Sequence, residues 1–325
     1  MTDDAPMRAG VIGVGSMGHH HARVYDELAG VELVGVADVN EAQAREVAAE
    51  YGVTAMDQAE LLDAVDLVSI AVPTQFHYPT ARECIERGVD VLVEKPFVED
   101  PADGRRLIEL ADERDVTLQV GHVERFNPAV QALEDVVDDL DVIAVTAQRL
   151  GPPLDRDIED TAVMDLMIHD LDIVLSLVDA DVEDVAAIGT RENRYATADI
   201  QFDDGTVGQL TASRVTQEKV RNLTISAREC RVKVDYIDQS LELHRGSLPE
   251  YVEQNGDVRY RHENVVERVS VDSGEPLKRE LRSFVDAARN GTEPEVTGED
   301  GLRVLELVRH IDRQAAGEKR LAKAD

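Results

Sequence analysis

The sequence predicts an α/β chain in which a doubly wound parallel sheet is followed by an α+β domain with a mainly antiparallel open sheet. Three observations predict this fold class. Strand and helix patterns alternate over the first 120 residues, a glycine-rich turn joins the first strand to the first helix, and alternating strands dominate after Gly121. A chain of 325 residues is long enough for two domains, which we place at 1–121 and 122–325. Whether the C-terminal helix packs back on the first domain is left open.

The glycine-rich turn lies between the apolar run 9–14 and a helical pattern over 19–28, and it reads Gly13-Val14-Gly15-Ser16-Met17-Gly18. A G-x-G-x-x-G motif between strand and helix is typical of a dinucleotide-binding Rossmann unit. Gly13 allows the tight turn, Gly15 lets the backbone approach a pyrophosphate, and Gly18 lets the helix pack close to the strand. The pyrophosphate would lie on the N–H groups at the start of the helix, where Ser16 and Met17 stand.

The predicted second strand, 31–37, ends at Asp38, twenty residues beyond Gly18. A carboxylate at this point accepts hydrogen bonds from a ribose 2′-hydroxyl and repels a 2′-phosphate. The sequence therefore predicts an NAD site and favours NAD over NADP.

The rest of the first domain continues the alternation. The expected helices are 41–51, 58–64, 77–87 and 101–114, and the expected strands are a short one near Val53, 66–72, 89–93 and 117–120. In such sheets ligands bind beyond the carboxyl ends of the strands. The residues that follow each strand are therefore the candidates for binding and catalysis.

The second domain begins with a helix at 128–136, a strand at 143–149 and a long helix at 160–178. A series of strands is expected next, at 182–189, 197–202, 206–213, 221–227, 232–235 and 241–244. Asp204-Gly205 predicts a hairpin between two of them. The polar stretch 247–268 gives no assignment, and helices at 276–290 and 298–316 complete the chain.

Charge is the unusual bulk property. There are 67 acidic residues against 34 basic ones, a formal charge of −33, and six of the basic residues are lysines. Such a field opposes binding to nucleic acids and anionic membranes. It also favours unfolding through self-repulsion unless salt screens it. We interpret the composition as that of a halophilic, salt-adapted protein, the alternative being an ordinary acidic one.

The N-terminus and the cysteines indicate a cytoplasmic protein. Residues 1–6 are acidic and polar, unlike a signal peptide, and no apolar run has the length of a membrane span. Cys84 and Cys230 are predicted to be buried free thiols rather than a disulfide or a metal pair.

Two strand exits carry candidate residues in the first domain. Pro73, Thr74 and His77 follow one strand, where cofactor contact and an ordinary turn with a helix cap are equally good interpretations. Glu94-Lys95-Pro96 follows the next strand directly, and the proline stiffens a turn that can present Lys95 to the cleft. Burial and neighbouring charges can shift a lysine's pKa towards neutrality, which suits catalysis, although an isolated lysine is usually a surface charge.

The third candidate is Asp165-x-x-x-His169-x-x-Asp172 on a very apolar helix. Asp165 and His169 share a helical face and, when desolvated, need partners. They could form a structural pair or a general acid–base pair. We predict no metal site, because ligands with suitable spacing are lacking and the three consecutive histidines at 19–21 cannot converge on one ion.

These motifs together resemble the Gfo/Idh/MocA oxidoreductase family over essentially the whole chain. The resemblance rests on the glycine motif, Asp38, the 73–77 turn, Glu94-Lys95-Pro96, and Asp165 with His169 and Asp172. It implies a Rossmann domain followed by a substrate-binding domain whose open sheet forms homodimers or homotetramers. It also implies hydride transfer between a sugar or polyol carbon and a nicotinamide, with Glu94 among the cofactor contacts.

The resemblance further implies roles for individual residues. His169 would act as the base, Lys95 would stabilise the alkoxide, and Asp165 would orient the hydroxyl or the lysine, with the choice between His169 and Lys95 as base left open. The segment 121–128 is similar to that of members that oxidise C3 of a UDP-N-acetylhexosamine. Arg125 and Asn127 are then candidate substrate contacts, and a salt bridge is the equal alternative for Arg125.

Arginines elsewhere are candidate ligands of a diphosphate without positional support, namely Arg149, Arg156, Arg191 and Arg194. Two other functions stay open. One is a dehydrogenase of free sugars or inositols within the same family, and the other is a non-catalytic NAD-binding sensor or assembly protein. Retention of Lys95, Asp165 and His169 favours catalysis.

Overall fold

The computed structural model describes residues 5–153, 160–190, 192–246, 250–254, 257–261 and 263–317. Within these ranges the chain forms two compact units, one from 1–126 and 274–307 and the other from 127–273 and 308–325. From the sequence we placed the division at 121/122 and left open whether the C-terminal helix packs back on the first domain. In the structure, 274–307 groups with the first unit.

The first unit is built on a parallel sheet of six strands. Its strands are β1 (Met7–Ile12), β2 (Val31–Ala37), β3 (Thr54–Ala55), β4 (Leu67–Ile70), β5 (Asp90–Glu94) and β6 (Leu118–Gly121), in the order β3-β2-β1-β4-β5-β6. Its N-terminal helices are α1 (Ser16–Glu27), α2 (Glu41–Tyr51), α3 (Gln58–Leu62), α4 (His77–Glu86) and α5 (Pro101–Arg114). The strand order reverses between β1 and β4, and this point is where doubly wound sheets bind their ligands.

Local sequence explains where these helices begin. Asn40 caps α2 by accepting a hydrogen bond from the Gln43 amide, and Asp57 caps α3 in the same way from the Glu60 amide. Asp100 caps α5, whose first residue is Pro101. Side-chain oxygens at these positions satisfy amides that have no partner inside the helix.

Helix α8 (Pro276–Asn290) belongs to the first unit because its apolar face completes that unit's core. Leu281 and Phe284 are fully buried in one cluster with Val11, Leu67 and Leu92 of the parallel sheet. The first part of α9 (Gly298–Ala315) also lies in this unit. Gly301 permits close packing there, since a Cβ atom at this position would lie 2.5 Å from Val120 Cγ2.

The second unit contains an eight-stranded sheet. Its helices are α6 (Pro128–Val137) and α7 (Ile168–Leu177), and its strands are β7 (Val142–Leu150), β8 (Val182–Gly189), β9 (Tyr195–Phe202), β10 (Val207–Ser213), β11 (Val220–Ala227), β12 (Arg231–Asp235), β13 (Ser240–Gly246), β14 (Glu250–Gln254), β15 (Asp257–Arg261) and β16 (Asn264–Val269).

The order in the large sheet is β16-β13-β12-β11-β7-β10-β9-β8, and β14 pairs with β15 alone. Only the described pair β7–β10 is parallel in the large sheet, so the predicted, mainly antiparallel α+β architecture is confirmed. The hairpin predicted at Asp204-Gly205 joins β9 to β10, with Gly205 at φ +91°. Strands β14 to β16 occupy the stretch that the sequence left unassigned.

The predicted helix 160–178 differs from the structure in its first turns. Val163–Met167 forms a π-helical turn, and α7 continues from it. The amide of Ile168 donates to the carbonyl of Val163, five residues back. π-Helical turns are rare in proteins, and those that occur often lie at functional sites.

Both cysteines are free and buried, as the sequence predicted. Among the described residues, no helix combines the length and the apolar character needed to cross a membrane.

Candidate active site

The glycine turn after β1 is shaped for close approach by a ligand. Gly13 has φ +85°, and a Cβ atom there would lie 2.7 Å from the Ala71 carbonyl oxygen. A Cβ atom on Gly18 would lie 1.8 Å from the Gly13 carbonyl oxygen, so only glycine fits. At Gly15 the same atom would meet nothing within 4 Å. The turn therefore packs tightly on its protein side and is open at Gly15.

The start of α1 adds hydrogen-bond donors to this open side. Gly15 is the N-cap residue, and no side chain caps the helix. Ser16 and Met17 are exposed in the first turn, where amides lack partners inside the helix. Unpaired amides and the positive end of the helix dipole suit a pyrophosphate.

Asp38, at the end of β2, is tied to the glycine turn. Its Oδ2 atom accepts a hydrogen bond from the Val14 amide at 2.8 Å, and its Oδ1 atom accepts one from the Asn40 amide at 2.7 Å. Gln43 Nε2 donates to the Val14 carbonyl at 2.8 Å. Each carboxylate oxygen can accept a second hydrogen bond, so Asp38 can hold the turn and also receive ribose hydroxyls. The turn, the helix start and Asp38 fit NAD.

The turn after β4 contains Pro73 and Thr74, the latter in a short 3₁₀ helix at Thr74–Phe76. His77, predicted with them as a cofactor contact, is buried, and its ring is engaged on both sides. Nε2 lies 2.8 Å from the Val72 carbonyl oxygen, and Nδ1 lies 3.0 Å from that of Pro96. Burial lowers the pKa of His77 against the opposing effect of these carbonyl groups. Both ring nitrogens thus face backbone carbonyl oxygens of two loops, and a contact of His77 with the cofactor stays a prediction.

Glu94, at the end of β5, is buried beside His21 of α1. Its Oε1 atom lies 2.9 Å from His21 Nε2, and its Oε2 atom accepts from the Lys95 amide at 3.1 Å. Burial by itself raises the pKa of Glu94, but the hydrogen bond from His21 and the charge of Lys95 outweigh it and lower that pKa overall. Glu94 is therefore an ionised carboxylate at neutral pH, and it orders the backbone from which Lys95 extends.

The second unit places Asp165 in the π-helical turn and His169 in the first turn of α7, both half-buried. Arg214, which follows β10, forms an ion pair with Asp165 and donates to the Asp160 carbonyl at 2.5 Å. Thr161 accepts from the Met164 amide at 3.1 Å and so supports the start of the turn. Arg214 was not singled out from the sequence, where nothing local links it to Asp165.

Arg149 lies in the interior of this unit, where Asp172 is also buried. Arg149 is 1% exposed, and its Nε and Nη2 atoms each donate to Asp170 at 3.0 Å. Its guanidinium also lies 5.4 Å from the ring centre of Tyr236. These contacts give Arg149 a structural role instead of the diphosphate contact considered from the sequence.

The other candidate arginines and Asn127 differ in their surroundings. Arg194 is exposed and pairs with Glu192, whereas Arg156 and Arg191 fall outside the described residues. Arg125 is 9% exposed, and its contact with substrate stays a prediction. Asn127 is buried, caps α6 and donates to the Tyr236 carbonyl at 3.1 Å. These contacts give Asn127 a structural role, and its contact with substrate stays a prediction.

The three consecutive histidines have different surroundings. His19 Nε2 lies 3.1 Å from Glu50 Oε2 and 3.0 Å from the Tyr51 hydroxyl, His20 is exposed, and His21 is buried against Glu94. Within the part of the chain that the structure describes, no group of three or more histidine, cysteine or acidic side chains could hold a metal ion.

This glycine turn on this strand order defines a dinucleotide-binding Rossmann domain, and family comparison agrees. A model of the NAD-binding Rossmann domain of the Gfo/Idh/MocA oxidoreductases matches residues 7–122, and the model of their C-terminal alpha/beta domain matches 154–322. The chain belongs to the Gfo/Idh/MocA oxidoreductase family. It is an enzyme with an NAD-binding Rossmann domain.

Comparison with individual proteins shows which members of the family the chain is similar to. A UDP-N-acetylglucosamine 3-dehydrogenase from Acidithiobacillus ferrooxidans is 40% identical over 247 residues, covering 74% of this chain and 78% of that protein. A solved structure of that enzyme superposes with a TM-score of 0.86 at 34% identity, over 97% of this chain and 99% of the other. An inositol 2-dehydrogenase from Rhizobium meliloti is 27% identical over 97% of this chain and 99% of that protein.

Proposed function

We propose that this enzyme oxidises a secondary hydroxyl group of a sugar with NAD, and that its substrate is a UDP-N-acetylhexosamine, which is oxidised at C3. The observation that carries the substrate is the 40% identity to the UDP-N-acetylglucosamine 3-dehydrogenase, against 27% for the inositol dehydrogenase. The segment 121–128, similar to that of nucleotide-sugar members, supports the same choice.

The glycine turn and Asp38 would hold the cofactor. The amides at the start of α1 would bind the pyrophosphate, and Asp38 would accept hydrogen bonds from the ribose hydroxyls while its charge disfavours a 2′-phosphate. When bound, the nicotinamide supplies the acceptor for the hydride that leaves the sugar carbon.

Side chains of the protein accept the hydroxyl proton, stabilise the charge on the oxygen and orient the hydroxyl group. Histidine has an ordinary pKa near neutrality, so His169 is the proposed base that takes the hydroxyl proton. The ammonium group of Lys95 stabilises the negative charge that develops on the oxygen. Asp165, fixed by Arg214, orients the hydroxyl group. Lys95 as base is the alternative assignment.

Substitution tests the proposal. Lys95→Ala and His169→Ala should each lower kcat by about 10²–10⁴-fold, since each removes a group that stabilises charge or moves a proton in the transition state. The affinity for NAD, measured by calorimetry, should change little. Lys278→Ala, which removes an exposed ion pair with Glu27, and His310→Ala, at an exposed position of α9, are the matched controls. Wild-type turnover in both test variants would refute the catalytic assignment.

A free inositol is the second candidate substrate, because the inositol 2-dehydrogenase aligns over 97% of this chain. The chemistry would be the same, with no nucleotide to bind. Oxidation of myo-inositol but not of a UDP-sugar would select it.

A further inference from the structure

We propose that His21 and His77 are positioning residues that fix Lys95 from two sides. Each histidine ties the segment Glu94–Phe97, here called the lysine turn, to a different cofactor-side loop of the first unit. The proposal rests on the proposed function, since it concerns the alignment of the proposed catalytic lysine. It adds two residues that contact neither the substrate nor the reacting atoms.

The first tie runs through Glu94. His21 comes from α1, the helix that begins at the glycine turn, and its ring is fully buried. The Glu94 carboxylate joins His21 Nε2 at 2.9 Å to the Lys95 amide at 3.1 Å. Because both carboxylate oxygens are engaged, the carboxylate cannot rotate without breaking a hydrogen bond. The backbone of Lys95 is thereby linked to the helix that carries the glycine motif.

Gly121 leaves the space in which this carboxylate lies. A Cβ atom at position 121 would come within 3.3 Å of Glu94 Oε2 and within 3.1 Å of Glu94 Cα. These distances are closer than ordinary van der Waals contact. The end of β6 is therefore shaped around the buried carboxylate.

The second tie is His77, the first residue of α4. Its Nδ1 atom lies 3.0 Å from the Pro96 carbonyl oxygen and 3.2 Å from that of Phe97, while Nε2 lies 2.8 Å from that of Val72. The ring thus spans from the lysine turn to the loop after β4. A neutral ring has a single N–H donor, so it donates to one of these two sides at a time, and the substitutions below test which side positions Lys95.

Position matters for a catalytic lysine because rate depends steeply on alignment. A displacement of about 1 Å can lower a rate by about 10²-fold. The two ties hold the residues before and after Lys95, so its Cα atom is fixed between two hydrogen-bonded neighbours. The same ties link the lysine turn to helix α1, which follows the glycine turn, and to the loop after β4.

The first experiment compares two substitutions at each histidine. His21→Gln keeps a donor near the Nε2 position, whereas His21→Met has a similar length without a donor. His77→Asn keeps only a donor near Nδ1, facing Pro96, and His77→Gln keeps only one near Nε2, facing Val72. We expect His21→Met to lower kcat by about 10²-fold, with His21→Gln restoring most of it, and His77→Asn to retain more kcat than His77→Gln. KM for the sugar should change much less than kcat.

His20→Asn is the matched control, since His20 is the exposed neighbour of His21. It should leave kcat unchanged. A kcat of the wild-type value in the folded fraction of His21→Met and of both His77 variants would indicate a structural role only and would overturn the proposal.

The second experiment needs no turnover. The chain has six lysines, so selective ¹⁵N-lysine labelling gives few amide signals, and Lys95→Arg assigns the one at position 95. The Lys95 amide should exchange with solvent about tenfold faster in His21→Met than in the wild type or in His21→Gln, because Glu94 loses the partner that fixes it. Should His21→Met fail to fold, His21→Leu gives the same test, since leucine also lacks a donor for the Glu94 carboxylate.

The two experiments separate this proposal from the proposed function. An unchanged exchange rate of the Lys95 amide in these variants would overturn the positioning role, whatever the substrate. Faster exchange in an enzyme that oxidises no sugar, or in one that tolerates Lys95→Ala, would support the positioning role and reject the proposed function.

Discussion

The guanidinium of Arg214 forms an ion pair with the carboxylate of Asp165 across 49 residues of sequence. The Arg214 side chain is 11% exposed, and that of Asp165 is 32% exposed. The pair is therefore partly shielded from water, and it fixes an aspartate that lies in a π-helical turn. Asp165 is thus a held carboxylate and not a mobile surface acid.

Removing Arg214 should release Asp165. Because a displacement of about 1 Å in an orienting group can lower a rate by about 10²-fold, Arg214→Met should lower kcat by about tenfold to hundredfold. Arg214→Lys should recover part of that loss. Steady-state kinetics measures both, with Arg228→Met as the control because Arg228 forms an exposed ion pair with Asp141 in the same unit. Equal effects of Arg214→Met and Arg228→Met on kcat would contradict the role assigned to Arg214.

Asp38 combines two roles that substitution can separate. Asp38→Asn keeps one oxygen for the Val14 amide, loses the hydrogen bond from the Asn40 amide and removes the charge, so rejection of NADP should relax while the contact with the turn is kept. Asp38→Ala also loses the hydrogen bond to the turn and should weaken NAD binding by about tenfold or more, a cost of about 1.4 kcal/mol. Calorimetric titration with NAD and NADP distinguishes these outcomes. An unchanged preference for NAD in both variants would rule out Asp38 as the selectivity determinant.

Two glycines of the same motif should respond differently to alanine. Gly15→Ala places a methyl group in open space, so the melting temperature should hold while NAD affinity drops by about tenfold. Gly18→Ala drives a methyl group into the Gly13 carbonyl and should destabilise the unit by about 1–3 kcal/mol. Thermal unfolding and NAD titration measure the two effects. NAD binding of wild-type strength by Gly15→Ala would show that the cofactor does not approach there.

The formal charge of −33 predicts dependence on salt. The Debye length is about 3 Å at 1 M salt and about 30 Å at 0.01 M, so repulsion among the carboxylates is strong only in dilute salt. We expect the melting temperature to fall steeply from about 2 M to about 0.05 M KCl, as followed by circular dichroism. Sucrose does not screen charge and should not replace KCl. A melting temperature independent of KCl would argue for an ordinary acidic protein.

Local pattern sufficed for much of the fold and for part of the site. Alternating strands and helices predicted the parallel sheet, and the glycine spacing with Asp38 predicted the nucleotide turn, because these signals lie within short segments. The side chains at 163–167 fit an α-helix as well as a π-helical turn, so the sequence could not predict the π-helical geometry. Strand β16 is exposed along almost its whole length and therefore shows no hydrophobic alternation.

The contacts that organise the site are long-range. His21 and Glu94 are 73 residues apart, and Arg214 meets Asp165 only after β10 pairs into the sheet. No spacing rule connects such positions. In the sequence, His21 stands out only as a histidine three residues after Gly18, the last glycine of the motif. Its role could be interpreted once the structure showed that it is buried against Glu94. The packing of α8 on the parallel sheet likewise required the tertiary structure.

The most direct test of the account is the formation of reduced nicotinamide, followed by its absorbance, with purified protein, NAD and UDP-N-acetylglucosamine in molar KCl. Free sugars and inositols are assayed in parallel. We predict NADH formation with the UDP-N-acetylhexosamine and little with the others. NADH formation only with free sugars or inositols would keep the chemistry and reject the nucleotide. No NADH with any of them, although NAD binds, would contradict the central claim and indicate a non-catalytic NAD-binding protein.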